Sequence, residues 1–373
     1  MINFLRTIRS FVRGYTMTNV FNLFVSKNLK KYWNNADKKN FDKDLIMSMN
    51  RYLNSEDYKK TSTNHKLSNI KILKIIEKSE QKESANYFQF NNPNFHADFT
   101  SATISELFKN NKNYVFFEDL FKLHPSLKIE NSIKLNLINN LIYNKLKNRK
   151  IFSKINKLSD VTFIGNDQIF NHVNGLKISQ EKLRTLIEYE NIENLINKNK
   201  SKIIEIGSGN GRMCECILSC SDDIYKYILI DIPPALPSAF KRLKKSLKNK
   251  KLSYAIEIED KNEMMDTIEN NDVIFLLPKQ IELLNKDFDL FLAIDCLHEM
   301  KKKTIKEYMN IASEISKKIY FKVHENTHVP FSFDRLCVHN KNDYSINTKW
   351  DLIFKKKSLF PSNDYEVAYE TNK

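Results

Sequence analysis

Glycine is scarce in this chain: six in 373 residues, beside eight prolines, five cysteines and two tryptophans. Five cysteines, three of them at Cys214, Cys216 and Cys220, do not make a disulfide framework at this length, and a reducing, cytoplasmic compartment is expected. Long apolar runs are missing too. The longest, such as VIFLL at 273–277, falls far short of a membrane span. Arg6, Arg9 and Arg13 interrupt the opening segment where a secretory signal would need an apolar core. Apolar residues still make up 41% and aromatics 12%, which is enough to bury a core and excludes general disorder.

Acidic residues are outnumbered, 45 to 60, leaving a net charge of +15. That balance fits a nucleic-acid partner. Lysine, asparagine and isoleucine are abundant together, however, as an AT-rich genome would make them, and the lysines are scattered. The runs at 241–251 and 301–303 read as solvated helix faces, so nucleic acid is not the expected partner.

The length predicts more than one structural unit. Residues 1–160 read as a mainly helical region for acceptor binding or interaction, 161–200 as a helical lead-in, and 201–373 as an α/β domain. Within 1–33, Phe4, Leu5, Ile8, Phe11, Val12 and Tyr15 recur at helical spacing with arginines on the other side. Such a helix packs on its own domain or makes a peripheral contact with anionic lipid at the inner face of the membrane. Segment 179–197 opens on Ser179, a good N-cap, with Glu181 in the first turn. From 201 the texture changes: KIIEI (202–206), YILIDI (227–232), VIFLL (273–277), DLFLAI (289–294) and KIYFKV (318–323) alternate with helical stretches. That alternation predicts a mostly parallel, doubly wound sheet covered by helices.

Half of the glycines, Gly207, Gly209 and Gly211, fall within five residues after the first of these strands. Glycine permits positive φ and close approach of a ligand to the backbone. The helix that follows presents free N–H groups. The pattern E-I-G-S-G-N-G differs from the G-x-G-x-x-G of dinucleotide enzymes, and Glu205 before the loop would repel a pyrophosphate. A carboxylate there suits a cationic ammonium and sulfonium instead. Asp231 closes the second strand, where an acid accepts ribose hydroxyls. S-adenosylmethionine meets both demands.

EIGSGNGR followed by YILIDIPPAL resembles the class I methyltransferases, and in particular a bacterial sugar O-methyltransferase family. The stretches 163–192 and 289–300, Trp350 and EVAYE (366–370) extend the resemblance over about 160–373. It implies a Rossmann-like methyltransferase fold, S-adenosylmethionine as methyl donor and a saccharide hydroxyl, in a surface polysaccharide or its precursor, as acceptor. The charged stretch 253–272 departs from the pattern as an insertion, and so does His298.

Ligands of open parallel sheets collect at the carboxyl ends of the strands. That rule nominates Glu205, Asp231, Pro278 with Gln280, Asp295 through Glu299, and His324 with Glu325. Gln280 is expected at the cofactor. His298 is the expected general base. Asp295 is expected on the donor's amino group or on the histidine, and Glu299 on sugar hydroxyls. HENTH (324–328) satisfies the zinc-protease string, but a strand precedes it and Val329-Pro330 follows, so a loop is expected rather than a metal-binding helix. No metal is assigned; His324, Glu325 or Asp295 holding a divalent ion is the alternative. Two other functions compete: nucleic-acid methylation, against which D-C-L-H after the fourth strand counts, and a binding scaffold without chemistry.

Overall fold

The computed structural model describes, with short interruptions, residues 28–61, scattered positions from 66 to 77, 139–158, 171–197 and 200–372. The pattern in 1–33 therefore lies outside the described residues up to 27; residues 28–35 are helical, with Leu29 and Trp33 buried. Helices α1 (Lys43–Asn54) and α2 (Glu56–Lys60) follow, α1 capped by the Asp42 carboxylate on the Leu45 N–H. The lead-in is not wholly helical. It holds a hairpin of β1 (Asn171–Val173) and β2 (Leu176–Ile178), turned at Gly175, before α3 (Gln180–Ile192). Ser179 caps α3 as expected, its hydroxyl accepting from the Lys182 N–H at 3.2 Å.

The α/β unit runs β3 (Ser201–Ile206), α4 (Arg212–Cys220), β4 (Ile224–Ile230), α5 (Ala235–Ser246), β5 (Leu252–Tyr254), α6 (Lys261–Asn270), β6 (Val273–Leu276), β7 (Phe288–Ile294), α7 (Lys302–Ile315) and β8 (Ser316–His324). A small pair, β9 (Asn326–His328) and β10 (Val338–Asn340), then precedes β11 (Trp350–Lys357) and β12 (Asp364–Thr371). The eight-stranded sheet has the order β11-β12-β8-β7-β3-β4-β6-β5. From β8 to β5 all pairings are parallel; β12 is antiparallel to β8 and to β11. This is the doubly wound, mostly parallel sheet that the sequence predicts.

Alternation within each strand feeds two cores. Ile203, Tyr227, Leu229, Phe275 and Leu292 pack with Leu183 of α3, Met213 of α4 and Leu243 of α5 on one face. Ile204, Ile228, Ile274 and Phe291 pack with Met264 of α6 and Ile305 of α7 on the other. Cys214, Cys216 and Cys220 belong to the first core, which explains them as packing residues. Stretch 253–272 is no loose insertion: its ends form β5 and α6, a further parallel crossover at the sheet edge.

From β3 the chain moves outward to β4 and on to the edge strand β5, steps back to β6 between those two, then crosses to β7 on the other side of β3. The switch point thus lies at the carboxyl ends of β3 and β7, where open sheets form their crevice. Helices α1 and α2 close the neighbouring rim. The Asp57 carboxylate accepts the Lys279 N–H (3.1 Å), and Asn69 donates to the Pro233 carbonyl (2.9 Å).

Candidate functional site

The glycine loop leaves β3 with Gly207, Gly209 and Gly211 at φ of 62°, 56° and 75°. Two positions explain why glycine stands there. A Cβ on Gly207 would come within 2.2 Å of Cys296 Cβ, so loop and β7 end touch backbone to side chain. A Cβ on Gly209 would meet nothing within 4 Å, so its left-handed backbone borders open space. Asp231 ties this loop to the next strand: its carboxylate accepts the Gly209 N–H and the Ile232 N–H, each at 2.7 Å. Loop and acid form one cradle at the head of α4.

Glu205, two residues before the loop, is 3% exposed and receives the Tyr227 hydroxyl at 2.7 Å. Burial pushes its carboxyl up to about 7, against the pull of that hydrogen bond. Gln280 has partners within the fold: its Oε1 accepts the Leu277 N–H, and its amide donates to the Ala255 and Ile258 carbonyls, so the side chain clamps the turn Pro278–Leu283.

At the end of β7, Asp295 adopts φ 57°, a conformation uncommon for a residue with a side chain. Its carboxylate meets Arg184 of α3 and Arg212 of α4, with Lys322 Nζ at 3.8 Å. Burial opposes its charge, but Arg184 and Lys322 outweigh this and hold it below the usual carboxylate range. The expected bond from Asp295 to His298 is absent: among the described residues His298 Nδ1 has no hydrogen-bond partner. His298 lies 5% exposed in the short turn Leu297–Glu299, where Glu299 is half-buried. Burial, then the neighbouring His324, lower its imidazole to about 4.

Several site residues escape sequence reasoning. Lys322, wholly buried on β8, donates to Glu188 of α3 (2.7 Å) and to the Phe360 carbonyl (2.9 Å). Glu188 also pairs with Arg184 and Arg212. Asp364 opens β12 with its carboxylate against His324 Nδ1 and 3.7 Å from Lys322 Nζ. A lysine inside the apolar run KIYFKV was the available signal, since a buried ammonium demands a counter-charge. HENTH is extended: His324 ends β8 and residues 326–328 form β9, so its two histidines do not share a helix face.

Similarity to known structures is distant. No protein-family model and no curated protein matches the sequence. The chain is similar to the pyocyanin biosynthetic protein PhzM at 10% identity and a TM-score of 0.36, each chain covered in full. Magnesium protoporphyrin IX methyltransferase (ChlM) from Synechocystis PCC 6803 with bound SAM is 8% identical, TM-score 0.35, over 64% of this chain and 96% of that one. Mitomycin 7-O-methyltransferase MmcR is 10% identical, TM-score 0.32, over 46% and 49%. At this distance the class of the molecule rests on its own sheet order and glycine loop.

Proposed function

We propose that this chain is an S-adenosylmethionine-dependent methyltransferase. One observation carries the reading: the Gly209 backbone borders open space and is hydrogen-bonded to the acid that ends the second strand. A carboxylate accepts about four hydrogen bonds, so backbone bonds to Asp231 are compatible with a ribose diol as a further donor. The N–H groups at the head of α4 suit the amino-acid end of the same ligand. Bound there, S-adenosylmethionine supplies a methyl group already activated by its sulfonium.

The chain's own task is to orient the acceptor and take its proton. Asp295, Arg184 and Arg212 provide a rigid polar wall beside the loop. His298, in the turn after β7, and His324, at the end of β8, lie with ring centroids 4.0 Å apart, and one of this pair accepts the proton. The acceptor we assign is a saccharide hydroxyl, on the resemblance of EIGSGNGR and YILIDIPPAL to the sugar O-methyltransferases. Titration calorimetry with S-adenosylmethionine tests the donor, and heatless injections refute it. Radiolabelled methyl transfer to purified polysaccharide against total RNA tests the acceptor, and label in RNA alone refutes a saccharide.

A further inference from the structure

We propose that the hydroxyl proton is accepted by His324 Nε2, with Asp364 as the residue that presents it, rather than by His298. The proposal rests on the methyl-transfer reading and deepens it.

Position comes first. His324 is the last residue of β8, two strands from the glycine-bearing β3 through β7. Strands lie roughly 4.8 Å apart, so about 10 Å separates them. A donor held by the glycine loop and Asp231 would leave the carboxyl ends of β7 and β8 to the acceptor. Orientation comes next. Asp364 is the register partner of His324, and its fully buried carboxylate contacts Nδ1. A carboxylate on Nδ1 fixes the Nδ1–H tautomer and leaves the Nε2 lone pair to accept a proton. Burial opposes the Asp364 charge, but the His324 bond and Lys322 outweigh it, so the carboxylate stays ionised.

The two histidines then divide the labour. Their ring centroids are 4.0 Å apart, close enough that a proton on one resists a proton on the other. Asp364 decides which ring holds it. Burial disfavours the His324 cation, yet Asp364, aided by Asp295 and opposed by Arg184, raises its pKa, whereas His298 is lowered. Among the described residues, the charged groups that act most on His298 besides His324 are Glu299, Asp295 and Asp364. The His324 side chain is 26% exposed and can exchange its proton with solvent; His298 is enclosed. In the step, the hydroxyl oxygen bonds to the methyl carbon and its proton passes to Nε2. The carbon–sulfur bond breaks with its electron pair kept by sulfur, so one positive charge moves from sulfur to imidazole.

Histidine-selective ¹⁵N NMR over a pH titration of the full chain, without acceptor, is the deciding experiment. The expected result is an Nδ1–H tautomer for His324, a pKa above that of His298, and a fall of at least one pH unit in Asp364→Asn. A His324 that titrates at or below His298, or that carries its proton on Nε2 when neutral, overturns the proposal. The wild-type titration decides even if Asp364→Asn fails to fold. Tritiated methyl transfer to a panel of methyl glycosides adds a second readout: His324→Gln lowers kcat by about 10²–10⁴-fold at unchanged donor Kd. A larger loss in His298→Gln than in His324→Gln also overturns it. Calorimetry separates the two levels: a wild-type chain that does not bind S-adenosylmethionine refutes the methyl-transfer reading, and donor binding with a low-titrating His324 refutes this proposal alone.

Discussion

At Gly209 a side chain would face two penalties at once. The φ of 56° strains any L-residue, β-branched ones most, and a Cβ would project into the space assigned to the donor. Gly209→Val is therefore expected to fold and to lose measurable S-adenosylmethionine binding in calorimetry; normal affinity would reduce the loop to a turn. Asp231→Ala removes a charged acceptor whose hydrogen bonds contribute about 1.5–3 kcal/mol each. Donor Kd should rise at least tenfold, more than one such bond implies if the Gly209 N–H is also released. Glu205 behaves differently, because it titrates inside the fold. Its carboxyl is raised to about 7 from an ordinary 4.5, so its contribution is full below pH 4.5 and lost as pH rises through 7. Denaturant unfolding at pH 5 and pH 8 should show wild type losing up to about 3 kcal/mol that Glu205→Gln, unable to ionise, keeps. Parallel losses in both proteins would show that another group titrates.

Among the elements, the turn Pro278–Leu283 depends on one side chain. Gln280 joins Leu277 to Ala255 and Ile258 while 5% exposed, so Gln280→Ala leaves buried backbone groups unpaired. The variant should lose about 2–4 kcal/mol in chemical unfolding and bind the donor with little change in Kd; intact stability with lost binding would return Gln280 to the cofactor. The five strands from β3 to β8 that the sequence revealed were legible because each is a mainly apolar run between breakers or charged residues. β5 escaped because Leu252–Tyr254 is three residues long and half-buried. The terminal pair escaped because Trp350–Lys357 is largely exposed and carries three lysines in sequence, a surface texture. The same contrast holds for the site. Gly207 to Gly211 and Asp231 announce themselves through local pattern. The His324–Asp364 and Lys322–Glu188 contacts join residues 40 and 134 positions apart, which no local spacing encodes.

For the whole molecule, the cluster of Glu188, Asp295 and Asp364 with Arg184, Arg212 and Lys322 links α3, α4, β7, β8 and β12 around a balanced set of charges. Buried pairs of this kind are costly to break, since the partner is left charged and alone. Glu188→Gln should lose about 3–5 kcal/mol at pH 7. Burial opposes the Glu188 charge, but Arg212, Lys322 and Arg184 hold its pKa at about 2, below an ordinary 4.5. Its stabilisation is therefore complete above pH 4.5 and disappears as pH falls through 2. The gap between wild type and variant should close across that window in acid unfolding followed by circular dichroism. A gap that persists at pH 2 would assign the loss to packing.

The sheet order also sets a schedule. β12 comes after β11 in the chain yet lies between β11 and β8. A ribosome adding about 5–20 residues per second needs several seconds to pass from the end of β8 to the end of β12. Throughout that interval β8 is an open edge, a template for strands from other nascent chains. Lys322 also waits for the Phe360 carbonyl and for the charge of Asp364. Newborn chains should therefore depend on holding chaperones in those seconds, and His324 cannot be oriented until the last of these strands has docked.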